Sequence, residues 1–162
     1  MPALLDRCDE LDIPVLIDFA YISISKDIKI NLNHPCIKTI AFSLSKVYFG
    51  MERLRTGIRF NREYEDDPID FSNEFRQFNY AGAFSAINLF KKFPPSEVFN
   101  RLDSYANIVC DRNNYQRNNT SIFATLDSTH KEFDKFKRGN SNYARKCISE
   151  DIYNVMRDEL II

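Results

Sequence analysis

The chain has 162 residues, with 22 Lys and Arg against 23 Asp and Glu and a formal net charge of −1. That balance offers no basic stripe for nucleic acid and no acidic arm, and no apolar run is long enough to span a bilayer. Fourteen Phe, eight Tyr and no Trp fit an ordinary globular composition, in a chain long enough to bury a core.

The apolar positions Leu4, Leu5, Cys8 and Leu11, with Asp6, Arg7, Asp9 and Glu10 between them, predict a helix from Met1 to Leu11 that Asp12 and Pro14 end. Val15 to Phe19 is a continuous apolar run broken only by Asp18, as expected of a parallel strand covered on both faces. Ile22 to Pro35 reads as a connection. Ile37 to Phe42 is a second strand, Ser43 to Lys46 its exit loop, and Gly57 to Asn61 a short third strand. The charged stretch from Arg62 to Asp70, with Glu63, Glu65, Asp66 and Asp67, reads as an exposed loop and hinge. Tyr80 to Phe90 is apolar nearly all round and predicts a buried helix.

Pro94 and Pro95 break the chain, and Ser96 can cap a helix with Val98, Phe99, Leu102, Tyr105, Ala106 and Val109 on one side. Asp111 to Thr120 is polar and loop-like. Ser121 to Leu126 predicts a strand, Glu132 to Lys137 a short amphipathic helix, and Gly139 to Asn142 a turn. Tyr143 to Ser149 follows as a strand, and Ser149 caps a last helix with Ile152, Val155, Met156 and Leu160 inward. The break divides a sheet-rich front, residues 1–92, from a smaller α+β back, residues 93–162.

Few side chains carry obvious chemistry. Cys8, Cys36, Cys110 and Cys147 form no CxxC pair, and His34 and His130 stand alone, so all six read as structural and no metal site is expected. Scattered cysteines and the lack of a signal-peptide core suit a reduced, cytoplasmic chain. With four glycines there is no phosphate-cradling loop. Lys46 is the exception. It follows a hydrophobic strand and sits among small hydroxyl residues, Ser43 and Ser45, where open α/β sheets put their ligands. Asp18 closes the neighbouring strand, and Arg53 and Arg55 lie close behind the lysine. Taken singly, Asp18 could cap a turn and Lys46 could be a solvated surface amine.

The order of these pieces carries more than any one of them. Asp18-Phe19-Ala20-Tyr21 after one strand, Ser43-Leu44-Ser45-Lys46 after the next, Arg55-Thr56-Gly57, and Arg145-Lys146-Cys147-Ile148-Ser149 before an acidic helix start resemble the fold-type I pyridoxal-phosphate (PLP) enzymes, the aspartate aminotransferase superfamily. The resemblance implies a partial large domain with a mostly parallel sheet, followed by a small α+β domain. It implies that Asp18 faces the pyridine nitrogen, that Tyr21 donates to the cofactor's phenolic oxygen, and that Lys46 forms the internal Schiff base and carries the proton. Ser43, Ser45 and Arg55 would hold the phosphate, and Arg145 the substrate carboxylate. The phosphate arginine falls one residue farther from the lysine than in the family, as though a residue were inserted around Tyr48-Phe49-Gly50. Arg53 therefore competes with Arg55, and Arg59 more distantly.

Family members are well over twice this long, so the resemblance covers their second half. The expectation is an aminotransferase-like protein moving an amino group between an amino acid and a 2-oxo acid. A PLP lyase or decarboxylase on the same scaffold, or an inactive partial chain acting as a binding module, are the alternatives. A sheet cut in half leaves an apolar edge, which implies a homodimer or a complementary chain.

Overall fold

Alternating apolar and polar positions in the front of the chain become a small mixed sheet. A computed structural model describes every residue except 1, 49, 50, 52, 65, 128–130, 138, 140, 141, 161 and 162. His130, the Phe49-Gly50 insertion point, Glu65 and the middle of the Gly139 turn lie outside the described residues, as does the side chain of Leu160. Two units are present, one built from residues 1–23 and 28–95 and the other from 24–27 and 96–162.

In the first unit, helix α1 (Pro2–Glu10) leads into β1 (Val15–Asp18). β1 pairs in parallel with β2 (Ile37–Ser43), and β2 pairs antiparallel with β3 (Gly57–Asn61), in the order β1-β2-β3. The sheet is thus mixed, not mostly parallel. β1 is also not covered on both faces: Val15 and Ile17 pack beside Leu5, Cys36 and Ile37, while Leu16 is 59% exposed and Asp18 shares its face. Ser43 to Lys46 is not a loop throughout, because a four-residue helical turn, α2 (Leu44–Val47), follows β2 directly. Its Leu44 and Val47 join Tyr48, Met51 and Ala86 in a second core cluster. Tyr48 donates its hydroxyl to the Phe93 carbonyl at 2.8 Å and sets its ring edge-on to Phe90. Burial of each large apolar side chain in such a cluster is worth roughly 1.5–3 kcal/mol.

The expected hinge contains a helix start. α3 (Pro68–Glu74) has proline at its first position, and Asp67 caps it by accepting from the backbone N–H groups of Ile69 and Asp70, each at 2.9 Å. The same carboxylate accepts a two-pronged bond from Arg59 on β3, and Asp70 also accepts from that guanidinium at 2.7 Å. α4 (Tyr80–Lys92) is where expectation and structure differ most: only Gly82 and Ala86 are buried, and Phe84 is 72% exposed. An all-round apolar helix needs a cover on each side. Here one side alone is packed.

The second unit pairs β4 (Gln116–Arg117), β5 (Phe123–Asp127) and β6 (Tyr143–Cys147) in an antiparallel sheet of that order. Helices α5 (Glu97–Asn113) and α6 (Ser149–Leu160) supply Val98, Leu102, Ala106, Val109, Ile152 and Val155 to its core. Ser96 precedes α5 without a side-chain cap bond, and the 131–136 segment is a 3₁₀ helix. Residues 24–27 also belong to this unit. Ser121 donates its N–H to the Ile24 carbonyl and Lys26 donates its N–H to the Asn119 carbonyl, each at 2.9 Å, so part of the stretch read as a connection is edge structure. Among the described residues, no helix is long and apolar enough to cross a membrane.

The Arg59 pair holds the Asp67 carboxyl down at about 2, against an ordinary 3.8, with the two backbone N–H bonds adding to the effect. A folded-state value below the unfolded one means stability that is full above about pH 4 and fades as pH falls toward 2. Asp67→Asn should therefore lower the melting temperature at pH 7, and thermal melts taken down to pH 2 should show the gap between variant and wild type closing.

Candidate cofactor site

The C-terminal ends of β1 and β2 lie side by side because Asp18 is in register with Ala41, and Ala41 is small enough to leave room beside the carboxylate. Asp18, Ser43, Ser45, Lys46 and Arg55 border one cavity of about 430 Å³. They come from four pieces of local structure. Asp18 is the last residue of β1 and Ser43 the last of β2. Ser45 and Lys46 are carried by α2, and Arg55 by the return to β3. Tyr21 adds a ring 5.4 Å from the Lys46 ammonium, a cation–π contact worth up to about 1 kcal/mol at a partly exposed site.

Local bonds fix these positions. One Asp18 oxygen accepts from the Ala20 N–H at 2.8 Å, turning the chain after β1 and leaving the second oxygen for other partners. Ser23 donates to the Lys46 carbonyl at 3.4 Å, which ties the two strand exits together. Ser45 is buried and Arg55 exposed. Arg55 has a left-handed backbone (φ 47°), unusual for a non-glycine residue, and it turns the chain ahead of Gly57. Gly57 pairs with Ser43, and a Cβ there would lie 2.7 Å from the Phe42 carbonyl oxygen, so a side chain would force the strands apart at the cavity rim.

Two residues behind this rim carry no chemical signature in the sequence. Asn79 caps α4 by accepting from the Gly82 N–H at 2.9 Å and also donates to the Leu54 carbonyl. It thereby fastens the segment that bears Arg53 and Arg55 to the start of α4. Gly82 allows the approach, since a Cβ there would collide with the Thr56 hydroxyl. An Asn before an apolar helix reads as an ordinary cap, and its second bond spans 25 residues, which no local pattern announces.

The arginine of β3 stands apart from this cavity. Arg59 is engaged with Asp67 and Asp70 and does not border it. Arg145 belongs to the second unit, where it is exposed on β6 with its guanidinium 4.7 Å from the Phe123 ring centroid. Its neighbour Lys146 pairs with Asp151 at 2.9 Å and reaches the Tyr115 hydroxyl. Among the described residues, no group of His, Cys, Asp and Glu is arranged to hold a metal ion.

An acid, an amine, two hydroxyls and a guanidinium around one cavity are a donor set that suits a phosphorylated aromatic aldehyde. The anion can meet Ser43, Ser45 and Arg55, the aldehyde the lysine, and a basic ring nitrogen the aspartate.

No family model and no curated protein matches the chain. Solved structures do. An aminotransferase from Staphylococcus aureus superposes with a TM-score of 0.63 at 16% identity, covering 99% of this chain and 52% of that one. The histidinol-phosphate aminotransferase from Clostridium acetobutylicum gives 0.61 at 16% identity, covering 96% and 56%. An α-aminoadipate aminotransferase from Thermus thermophilus, solved with N-(5'-phosphopyridoxyl)-L-leucine, gives 0.60 at 15% identity, covering 96% and 51%. The chain thus has the fold of part of an aminotransferase and spans about half the length of these structures.

Asn79→Ala should cost roughly 0.5–2 kcal/mol of stability in urea denaturation, the range for loss of a helix cap. The cap alone predicts no change at the cavity. The bond to Leu54 predicts altered amide exchange at residues 53–57 as well.

Proposed function

We propose that the first unit carries the lysine-and-aspartate half of a PLP site in an aminotransferase-like protein, one that moves an amino group between an amino acid and a 2-oxo acid. The observation that carries this reading is the single cavity shared by Asp18, Ser43, Ser45, Lys46 and Arg55 at the strand ends. When bound, PLP would supply a ring that spreads the charge left as the substrate's Cα loses its proton. Asp18 keeps the ring nitrogen protonated by pairing with it. Tyr21 donates a hydrogen bond to the phenolic oxygen. Ser43, Ser45 and Arg55 hold the phosphate, with Arg55 preferred to Arg53 because it borders the cavity. Lys46 holds the aldehyde through its amine, then serves as the base and acid that moves a proton at the substrate's Cα. For Arg145, its exposed guanidinium in the second unit supports a role as the partner of a substrate carboxylate.

Titration with PLP tests the reading. A visible absorbance band should grow in wild type and be lost in Lys46→Ala. Asp18→Ala should weaken binding by roughly tenfold, about 1.4 kcal/mol. A band that survives in Lys46→Ala would point to chance reaction with surface amines and sink the proposal.

A complementary chain or a second copy completes the fold in this reading. Leu16 on β1, Phe71 and Phe75 around α3, and Tyr80, Phe84 and Ile87 on α4 are all exposed. Large exposed apolar patches mark association surfaces. Sedimentation should find a dimer or larger species, shifted toward monomer by Phe84→Glu with Ile87→Glu. A wild-type chain that runs as a stable monomer would contradict the pairing.

A further inference from the structure

At the opposite end of β2 from the candidate cofactor cavity, three reactive side chains form a chain of contacts. The Cys36 sulfur lies 3.1 Å from His34 Nδ1, and His34 Nε2 lies 3.1 Å from an Asp6 carboxylate oxygen. A carboxylate only accepts, so Asp6 fixes the Nε2–H tautomer and leaves Nδ1 bare toward the thiol. In the sequence His34 stands alone; α1 brings its Asp6 back across 28 residues.

The assembly is held in place. Arg62 donates to the carbonyls of Leu32, His34 and Ile37 at 3.0–3.3 Å, pinning the turn that carries the pair. The thiol also lies within donating reach of the Leu5 carbonyl, at 3.5 Å. Leu5, Asp6 and His34 border a cavity of about 630 Å³, and Cys36 borders another of about 360 Å³. Cys36 itself is only 4% exposed, so a small neutral molecule suits the site better than a large or charged one.

We propose that Cys36, His34 and Asp6 form a base-assisted nucleophilic thiol site that adds to small neutral α,β-unsaturated carbonyl compounds. The sulfur forms a bond to the β-carbon as the carbon–carbon π bond breaks. The thiol proton passes to His34 Nδ1 and is returned to the α-carbon, so no oxidant or leaving group is needed. Asp6 stabilises the imidazolium between those transfers.

The charged and titratable groups acting on the thiol are Asp6, Cys8 and Asp9 from α1 and His34 in its own turn, while Asp12 and Lys38 line the smaller cavity beside it and Lys29 the larger one beside His34. Burial, followed by Cys8 and Asp9, pushes the thiol above its usual range. It therefore stays protonated near neutrality, and reaction there depends on a base that takes the proton during attack.

Acrylamide is the probe, with labelled peptides quantified by mass spectrometry on the full chain. Cys147, exposed on β6, is the comparator thiol, and Cys110, buried in the core of the second unit, reports unfolding. The expected result at pH 7 is Cys36 labelling well ahead of Cys110. His34→Gln should cut that rate at least about tenfold. Asp6→Asn should cut it less. Labelling of Cys36 that tracks Cys110, or no effect of His34→Gln, would each overturn the proposal. The comparison of Cys36 with Cys110 in the wild-type chain decides the matter even where a variant fails to fold.

Discussion

The parallel pairing of β1 with β2 is the constraint on which the rest depends. Parallel strands run their C-terminal ends out on the same side, so whatever follows each strand emerges into the same space. Register does the rest. Asp18 opposite Ala41 sets a carboxylate beside a small residue, and the helical turn that follows Ser43 swings a serine and a lysine into the gap. β3 then closes the third side by antiparallel return, with Gly57 paired to Ser43 and too close to the Phe42 carbonyl to carry a side chain. A slip of one residue in β1 would send Asp18 to the other face.

The parts of this design that are legible in the sequence are those written in short-range pattern. The bounds of β3 and the start of α5 follow from apolar spacing and breakers. Lys46 and Asp18 stand out because chemistry-bearing residues end apolar runs. Four residues of helix after β2 give no period to detect, which is why α2 reads as loop. α3 is hidden by its charges, although Asp67-Pro68 is a helix-start signal in its own right. Contacts across many residues leave no trace. His34 with Asp6, Asn79 with Leu54 and residues 24–27 with the second sheet each join segments that sequence order keeps apart.

α4 shows a different limit. Its composition promises burial on all sides, and the chain supplies cover for one. The solved structures that share its fold are about twice as long. β1 tells the same story, with Val15 and Ile17 packed, Leu16 bare, and no strand on its outer edge among the described residues.

The passage of residues 24–27 into the second unit has its own consequence. The backbone leaves the first unit, enters the second, comes back, and departs again at residue 95. Neither body is therefore one uninterrupted length of polypeptide. Truncation after Pro95 would strand Ile24 without the interior it fills, while a clone starting at Ser96 would lack that same fully enclosed side chain and the carbonyl that Ser121 meets. Separation at the proline pair would therefore yield two incomplete products.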